Sequence, residues 1–455
     1  MPTLCKVHLC VLLISYWLPF PAMGGDNSEP YAVSFEDFQW QEPAELVVLP
    51  ASKPLGEPID LAAAINLLQE RVLDRPKDVV SCTILGELFL RKAKEQDDLP
   101  SYAASVEQLR YSLSLNPSYV PAKRALASSL MAVHRFEEAL VLATQLDRER
   151  PSQPATLATL FDCQLELGNY AAAHELLGRL IVLERTAPVL ARAARLKELG
   201  GDAGSAIALL EEAVSETSEE SPIYAWLRWR MGCINFAAGR SNDALKDFKQ
   251  SLDSQPHYEP ANVGLAKVLF LEGDGKQALS ILEDIALSEA PPVVALLGDV
   301  LAALGHTQRA EAVWQHAEEL MEEESHIAQA AHAREYAMFL ADHRRRPELA
   351  LELANIDLAQ RADPFAWDAK AWVLYRMGRF DDASGAIEHA LASVKGDPDM
   401  LLHAAAIFFA VGDIAKSSEC MKQLESCNLS FSISYRQEFQ ELKSQLVALP
   451  RKSKL

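Results

Sequence analysis

The feature that most constrains this chain is a helix-breaking residue that recurs at intervals of 32 to 40 residues, each time with a small residue five positions later. The break is usually glycine, which tolerates the left-handed backbone that ends a helix. A small side chain after the break lets two consecutive helices approach closely. Nine such positions in register predict one long array of stacked helix pairs rather than several separate domains. They are His134 and Ala139, Gly168 and Ala173, Gly201 and Ala206, Gly239 and Ala244, Gly273 and Ala278, Gly305 and Ala310, Arg345 and Ala350, Gly378 and Ala383, and Gly412 and Ser417.

The segment from Ala225 to Pro256 shows this pattern most completely, because it holds two amphipathic stretches, a break and a terminal proline. It resembles the 34-residue tetratricopeptide repeat. The resemblance implies an all-α fold, a right-handed superhelix of about ten helix pairs, in which the first helix of each pair lines a concave surface. The positions that carry it are Met231, Gly232, Gly239, Ala244, Phe248 and Pro256.

The array is expected to span residues 59–430. Its first unit is degenerate, since only a second helix is evident there. Three polar insertions lengthen individual units without changing the register, and we expect them to form loops or helix extensions. They are residues 96–100, 215–222 and 322–329.

Both ends of the chain are predicted to lie outside the array. Residues 1–24 combine one lysine, the apolar run from Val7 to Leu18 and small terminal residues, which is typical of a signal peptide and predicts export to the periplasm, the envelope or the medium. A buried N-terminal helix is the alternative. Residues 25–58 read as an irregular leader rich in proline, glutamate and aromatic residues. Residues 431–449 are expected to form a capping helix, and residues 450–455 a basic tail.

The composition is that of a folded, acidic protein, with 49% hydrophobic residues and a net charge of −21. This charge would repel phosphate backbones, so we expect no nucleic-acid ligand. No stretch outside the first 24 residues approaches the roughly 20 apolar residues that a membrane helix needs, so no integral membrane span is expected. Five cysteines beyond that stretch read as buried thiols, with a pair between Cys420 and Cys427 as the alternative.

Catalytic and metal-binding motifs are not evident in the sequence. The chain has no HExxH, GxSxG or phosphate-loop pattern, and its 11 histidines are scattered. Adjacent acidic residues such as Asp381 and Asp382 suit the first turn of a helix, where negative charge favours the helix dipole. We therefore expect no enzyme, no catalytic residues, no metal and no cofactor.

Aromatic residues beyond those that the repeat pattern requires are the best indication of a binding surface. Trp226, Trp229 and Phe236 form a stripe at helical spacing. Such a stripe, facing a groove, would anchor an apolar partner segment. The alternative is that these rings pack against a neighbouring helix or the leader. The full candidate groove consists of Trp226, Trp229, Phe236, Phe270, Phe365, Trp372 and Tyr375.

The resemblance implies a non-enzymatic scaffold or adaptor that holds a protein or peptide partner in its concave groove. A structural spacer or self-assembling solenoid without a ligand is one alternative. A carbohydrate-binding scaffold is another, because tryptophans also stack on sugars. The sequence does not indicate the oligomeric state.

Overall fold

The structure is a computed structural model that describes residues 60–96, 98–328, 332–425, 427 and 435–448, with only the backbone at 326–328. The predicted signal peptide (1–24), leader (25–58) and basic tail (450–455) lie outside these residues. Within the described part all regular secondary structure is helical, which confirms the predicted all-α fold. The α-helices are α1 (Leu61–Asp74), α2 (Val79–Gln96), α3 (Leu99–Leu115), α4 (Val120–Ala132), α5 (Phe136–Glu149), α6 (Pro154–Glu166), α7 (Tyr170–Leu183), α8 (Ala187–Leu199), α9 (Ala203–Ser215), α10 (Pro222–Ala237), α11 (Ser241–Ser254), α12 (Glu259–Leu271), α13 (Gly275–Ile285), α14 (Pro291–Ala303), α15 (Thr307–Ala328), α16 (Ala333–Asp342), α17 (Pro347–Gln360), α18 (Pro364–Arg376), α19 (Phe380–Leu391), α20 (Pro398–Ala410), α21 (Ile414–Leu424) and α22 (Tyr435–Ala448).

Helices α2 to α21 form consecutive pairs, from α2–α3 as the first to α20–α21 as the last, and the two members of each pair pack against each other. Helix α1 precedes the first pair and α22 follows the last. Among the insertions, residues 216–221 form the connection between α9 and α10, whereas the region around 322 extends α15. First helices of successive pairs contact one another, as α16 and α18 do, and this is the arrangement in which they line the inner face that the repeat pattern predicts.

The predicted breaks end the first helix of a pair through a common backbone geometry. Gly239 has a left-handed φ of 73°, and the following Arg240 donates its N–H to the carbonyl of Asn235 at 2.8 Å. This bond satisfies a carbonyl that the helix end would otherwise leave unpaired. Many of the helices then begin with a proline, as α10 does at Pro222. Proline fits there because the first residues of a helix do not use their backbone N–H in helical hydrogen bonds. Local sequence thus determines where helices begin and end.

The break in the eighth pair lies one residue before the predicted position. The left-handed residue is Arg344, with φ 53°, and Arg345 instead donates its N–H to the carbonyl of Leu340 at 2.8 Å. Arg346 then adds a further residue, also left-handed at φ 37°, before Pro347 begins α17. Proline disfavours the right-handed helical conformation in the residue before it. The prediction of Arg345 as the break was therefore wrong by one position.

Small residues allow the close helix packing that the pattern predicts. Ala244 is fully buried in α11, and the Phe248 ring one turn later lies against the backbone of two first helices. A Cβ added at Gly232 would lie 2.5 Å from this ring, and one added at Gly264 would lie 2.4 Å from it. The ring therefore occupies the space that glycine leaves in both its own pair and the next.

The array winds so tightly that successive turns touch along a seam between loops. Gly168, after α6 in the third pair, lies against the backbone of Ala362 and Asp363, where the ninth pair begins. In the same way the fourth pair meets the tenth, since the N–H of Lys395 donates to the carbonyl of Leu199 at 3.0 Å. Six pairs thus complete one turn of the superhelix.

Charged side chains are buried where the second and third pairs meet the eighth and ninth. Arg334 bonds to Asp357 at 2.7 Å and to Asp363 at 2.8 Å, and Arg361 bonds to Asp357 at 2.6 Å. Burial and the nearby Asp363 raise the pKa of Glu166 to about 8. These ion pairs join the eighth and ninth pairs, because buried charges are stable only when paired, and Glu166 of the third pair approaches them from the neighbouring turn.

Candidate functional site

The predicted aromatic groove is largely part of the core. Trp226, Trp229, Phe236 and Trp372 expose only 3%, 8%, 2% and 0% of their surface. Trp226 and Trp229 pack against each other with ring centroids 6.2 Å apart, and Trp229 meets the edge of Tyr258 at 6.3 Å. These rings thus pack against helices of the same chain, which is the alternative that the sequence left open. They offer no exposed platform to a partner or a sugar.

The other three predicted residues are half-buried and do not join the cluster of Trp226 and Trp229. Phe270 packs against the core of the sixth and seventh pairs. Phe365 lies beneath the guanidinium of Arg195, 5.5 Å from the ring centroid to Cζ, at the seam. Tyr375 stacks on Trp372 at 5.1 Å. The seven residues therefore fall into three separate clusters: Trp226, Trp229 and Phe236 share one, Phe365, Trp372 and Tyr375 share a second, and Phe270 lies in the third.

Trp372 on α18 lies at the centre of a polar and aromatic site on the inner face of the last three pairs. Its indole N–H donates to Asp342 at the end of α16 at 2.8 Å. Its ring stacks on His403 of α20 at a centroid distance of 4.0 Å. The guanidinium carbon of Arg376 lies 4.2 Å from the indole centroid, close enough for a cation–π interaction. One side chain thus connects three first helices.

His403 is fixed in this site by an ion pair. Its Nδ1 lies 2.9 Å from the Asp368 carboxylate, and its side chain is fully buried. Burial by itself would lower the pKa of His403, but the charge and hydrogen bond of Asp368, together with the charges of Asp399 and Asp342, raise this pKa above its ordinary value. The histidine is therefore more readily protonated than one in water.

The C-terminal helix α22 lies across this part of the inner face. The Tyr435 hydroxyl donates a hydrogen bond to Asp342 at 3.0 Å. The Tyr435 ring lies nearly perpendicular to the rings of Trp372 and His403, with centroid distances of 5.5 and 5.0 Å. Glu438, one turn later, accepts a bond from Arg376 at 2.7 Å. A helix that only covered the last repeat would contact α20 and α21 alone. Helix α22 also bonds to α16 and α18.

The apolar side of α22 completes the contact. Phe439 and Leu442 are buried in the same core cluster as Trp372. Three further residues lie three, four and seven positions after Tyr435, so they share its face of the helix: Glu438, Phe439 and Leu442. The opposite face, with Gln437, Glu441 and Ser444, is exposed to solvent. This is the geometry of an amphipathic helix bound in a groove.

Burial shifts the pKa values of several groups on the inner face. Burial and the neighbouring Asp397 raise the pKa of Asp399, at the start of α20, to about 8. Burial and the charge of Glu438 raise the pKa of Tyr375 to about 12. Burial lowers the pKa of Lys267 on α12, although Asp399 and other acids oppose that effect. Polar contacts on this face are therefore stronger than they would be in water.

Most of this site is not evident from the sequence. Asp342, Asp368 and His403 carry no motif, and Tyr435 and Glu438 lie in a segment predicted only to cap the array. One usable signal was His403 within the apolar run LLHAAAIFFA, because a buried histidine needs a partner. The partner, Asp368, lies 35 residues earlier and could not be identified without the fold.

Within the described ranges, no group of three or more His, Cys, Asp and Glu side chains could hold a metal ion. None of the helices in that part of the chain is long and apolar enough to cross a membrane. The arrangement of Trp372, His403 and Arg376 can bind and orient an aromatic and acidic helix.

Two segments, residues 130–197 and 235–297, match a family model described as tetratricopeptide repeat. No curated protein matches the chain. Similar solved structures include a tetratricopeptide repeat protein from Parabacteroides merdae, 18% identical over 58% of this chain and 100% of the other, with a TM-score of 0.32. A human IFIT1 dimer with PPP-AAAA is 16% identical over 73% and 77% of the two chains, with a TM-score of 0.46. TTC0263 from Thermus thermophilus is 21% identical over 40% and 99%, with a TM-score of 0.33.

Proposed function

We propose that this chain, which belongs to the tetratricopeptide repeat family, is a non-enzymatic scaffold that binds a partner helix on its inner face. Tetratricopeptide repeats generally serve as protein-interaction scaffolds and use the inner face of their first helices. The observation that carries the proposal is α22, which already lies on that face as an amphipathic helix, with its tyrosine and glutamate bonded to Asp342 and Arg376. The inner face thus has the shape and polar groups that such a ligand requires.

Position-specific crosslinking would test this function. A photoreactive phenylalanine at Tyr375 lies beside Glu438 and is half-buried on the inner face. The same residue at Val182, which is 86% exposed on α7, is the matched control on a second helix. We expect adducts heavier than the chain at position 375 in native extracts and not at position 182. Equal adducts at both positions, or none at 375, would contradict inner-face binding.

We further propose that the protein is exported. The support is the lysine, apolar run and small residues of positions 1–24, which have the composition of a signal peptide. Expression in the native host followed by N-terminal sequencing of the mature protein would test this. Cleavage near residue 24 is expected, and an intact Met1 in the purified protein would argue for the buried-helix alternative.

A further inference from the structure

We infer that α22 is a displaceable internal occupant of the inner face, and that the partner segment which replaces it is an amphipathic helix with tyrosine, glutamate, phenylalanine and leucine at the spacing of Tyr435, Glu438, Phe439 and Leu442. This inference rests on the proposed function and names its ligand class.

The receptor side of the contact is held together without α22. Asp342 is fixed by the indole N–H of Trp372 at 2.8 Å, and His403 by Asp368 at 2.9 Å. Trp372 and His403 stack on each other, so α16, α18 and α20 hold these four side chains in place by themselves. A site whose groups are already oriented remains competent when its occupant leaves.

Helix α22 is attached to the array by one face only. Only Tyr435, Phe439 and Leu442 of this helix are buried, whereas α20 buries residues around its whole circumference. Elements with few buried apolar contacts detach locally while the rest of a protein stays folded. An amphipathic helix in a groove is also bound through side chains that another chain could present equally well.

Two polar contacts determine which amphipathic helix can bind at this site. The Tyr435 hydroxyl must reach Asp342, and the carboxylate of Glu438 must reach Arg376 one helical turn away. These groups are buried or half-buried, so a helix that left Asp342 or Arg376 unpaired would bind weakly. Phe439 and Leu442 add the apolar anchors on the same face. The four positions together define the recognition pattern.

A binding assay with the full chain tests the inference. A labelled peptide with the sequence of residues 435–448 is added, and fluorescence anisotropy reports its binding. In the chain variant Glu438→Arg, the internal helix places a cation against Arg376 and competes poorly. We expect this variant to bind the peptide at least about tenfold more tightly than the wild-type chain does. The matched control is Glu441→Arg, on the exposed face of α22, which should bind the peptide as the wild type does.

The peptide itself provides the specificity test. A peptide with Glu438→Arg should bind the Glu438→Arg chain at least about tenfold more weakly than the unmodified peptide does. Equal binding of the two peptides, or no binding by a chain that retains its helical circular dichroism, would overturn the inference and leave α22 as a fixed cap. A wild-type chain that elutes as a dimer and exchanges α22 between copies would also overturn it, since the occupant would then be a second copy.

Hydrogen exchange on the unmodified chain gives an independent result. The amides of α22 should exchange roughly a hundredfold faster than those of α20 if α22 detaches while the array stays folded. Equal protection of the two helices would overturn the inference. Crosslinks at position 375 to another protein would still support the proposed function in that case, so the two failures can be told apart.

Discussion

At the level of single residues, the contacts of a buried aromatic side chain, and not its burial alone, separate the core from the inner-face site. Trp226 and Trp229 are packed within the fifth pair and its neighbours. Trp372 is buried too, but its contacts with His403 and Tyr435 make it part of the inner-face site. An aromatic stripe at helical spacing does not reveal this difference, because both kinds of position repeat with the helix.

Truncation of the two stacked tryptophans tests their structural role. Trp226→Ala combined with Trp229→Ala removes two buried rings, and truncating one such ring to alanine costs about 3–5 kcal/mol of stability. We expect the free energy of unfolding to fall by several kcal/mol and the fifth pair to unfold. Urea denaturation, monitored by circular dichroism, measures both effects. Val182→Ala, at an 86% exposed side chain, is the control and should change stability by less than about 0.5 kcal/mol. A double variant as stable as the wild type would show that these rings are not core.

Protonation of His403 should make part of the stability depend on pH. The pKa of this histidine is raised by Asp368 of α18, by Asp399 of its own helix and by Asp342 of α16, and the Tyr435 ring of α22 packs against it. A raised folded-state pKa gives a stabilisation that is complete below the ordinary value of 6.5 and is lost as pH rises through the raised value.

The variant His403→Asn isolates this contribution. It keeps a hydrogen-bond donor for Asp368 but cannot carry a charge. The difference in free energy of unfolding between wild type and variant should be largest at acid pH and shrink as the pH rises above the raised pKa. A difference that stays constant from acid to alkaline pH would show that the histidine is not charged in the folded protein. Comparing the two proteins removes the effect of Glu166, which titrates in the same range.

At the level of helices, glycine has two different roles within the array. Gly232 and Gly264 face the Phe248 ring, so they are needed for close packing between helices. Gly178 on α7 has nothing within 4 Å of the place where a Cβ would be. The second kind of glycine only weakens its helix, because glycine loses more backbone freedom than alanine.

Alanine substitutions distinguish these two roles. Gly264→Ala would place a Cβ 2.4 Å from the Phe248 ring, so the helices must move apart, at a cost of about 1–3 kcal/mol. Gly178→Ala meets no atom and should stabilise its helix by about 0.5–1 kcal/mol. Thermal denaturation of both variants measures the two effects. If both substitutions changed the melting temperature in the same direction, the Phe248 contact would not limit how closely the helices pack.

At the level of the whole molecule, contact between successive turns encloses the inner face. Gly201 lies against Lys395 and Gly168 against Ala362, so the loops of one turn support the next. The raised pKa of Asp399 and the lowered pKa of Lys267 are consequences of this enclosure.

A pair of glycine variants tests the seam. Gly201→Val and Gly305→Val both place a side chain at a left-handed residue, with φ values of 79° and 84°, and so carry the same local strain. Only the first meets another turn, because a Cβ there would lie 2.8 Å from the Lys395 carbonyl, whereas nothing lies near Gly305. We expect faster amide exchange at Lys395 and a larger radius of gyration for Gly201→Val alone. Equal changes in both variants would argue against a closed seam.

The helical array could be predicted from the sequence because its signals are local. The left-handed glycine, the small residue after it and the proline at a helix start act within one unit of about 34 residues, so pattern alone located most breaks. The exception is Arg345. The left-handed break there is Arg344, and Arg346 lengthens the loop by one residue before Pro347 begins the next helix. Signals of this range also located the segment of α22, though not its position in the fold.

The candidate site could not be predicted in the same way, because its parts are far apart in the chain. Tyr435 meets Asp342 across 93 residues, and Lys395 meets Leu199 across a full turn of the superhelix. Such contacts depend on small rotations between repeats that add up along the array, and no single repeat encodes that sum. Helix positions therefore follow from local sequence, whereas the burial of Trp226, the enclosed inner face and the place of α22 follow from the winding of the whole chain.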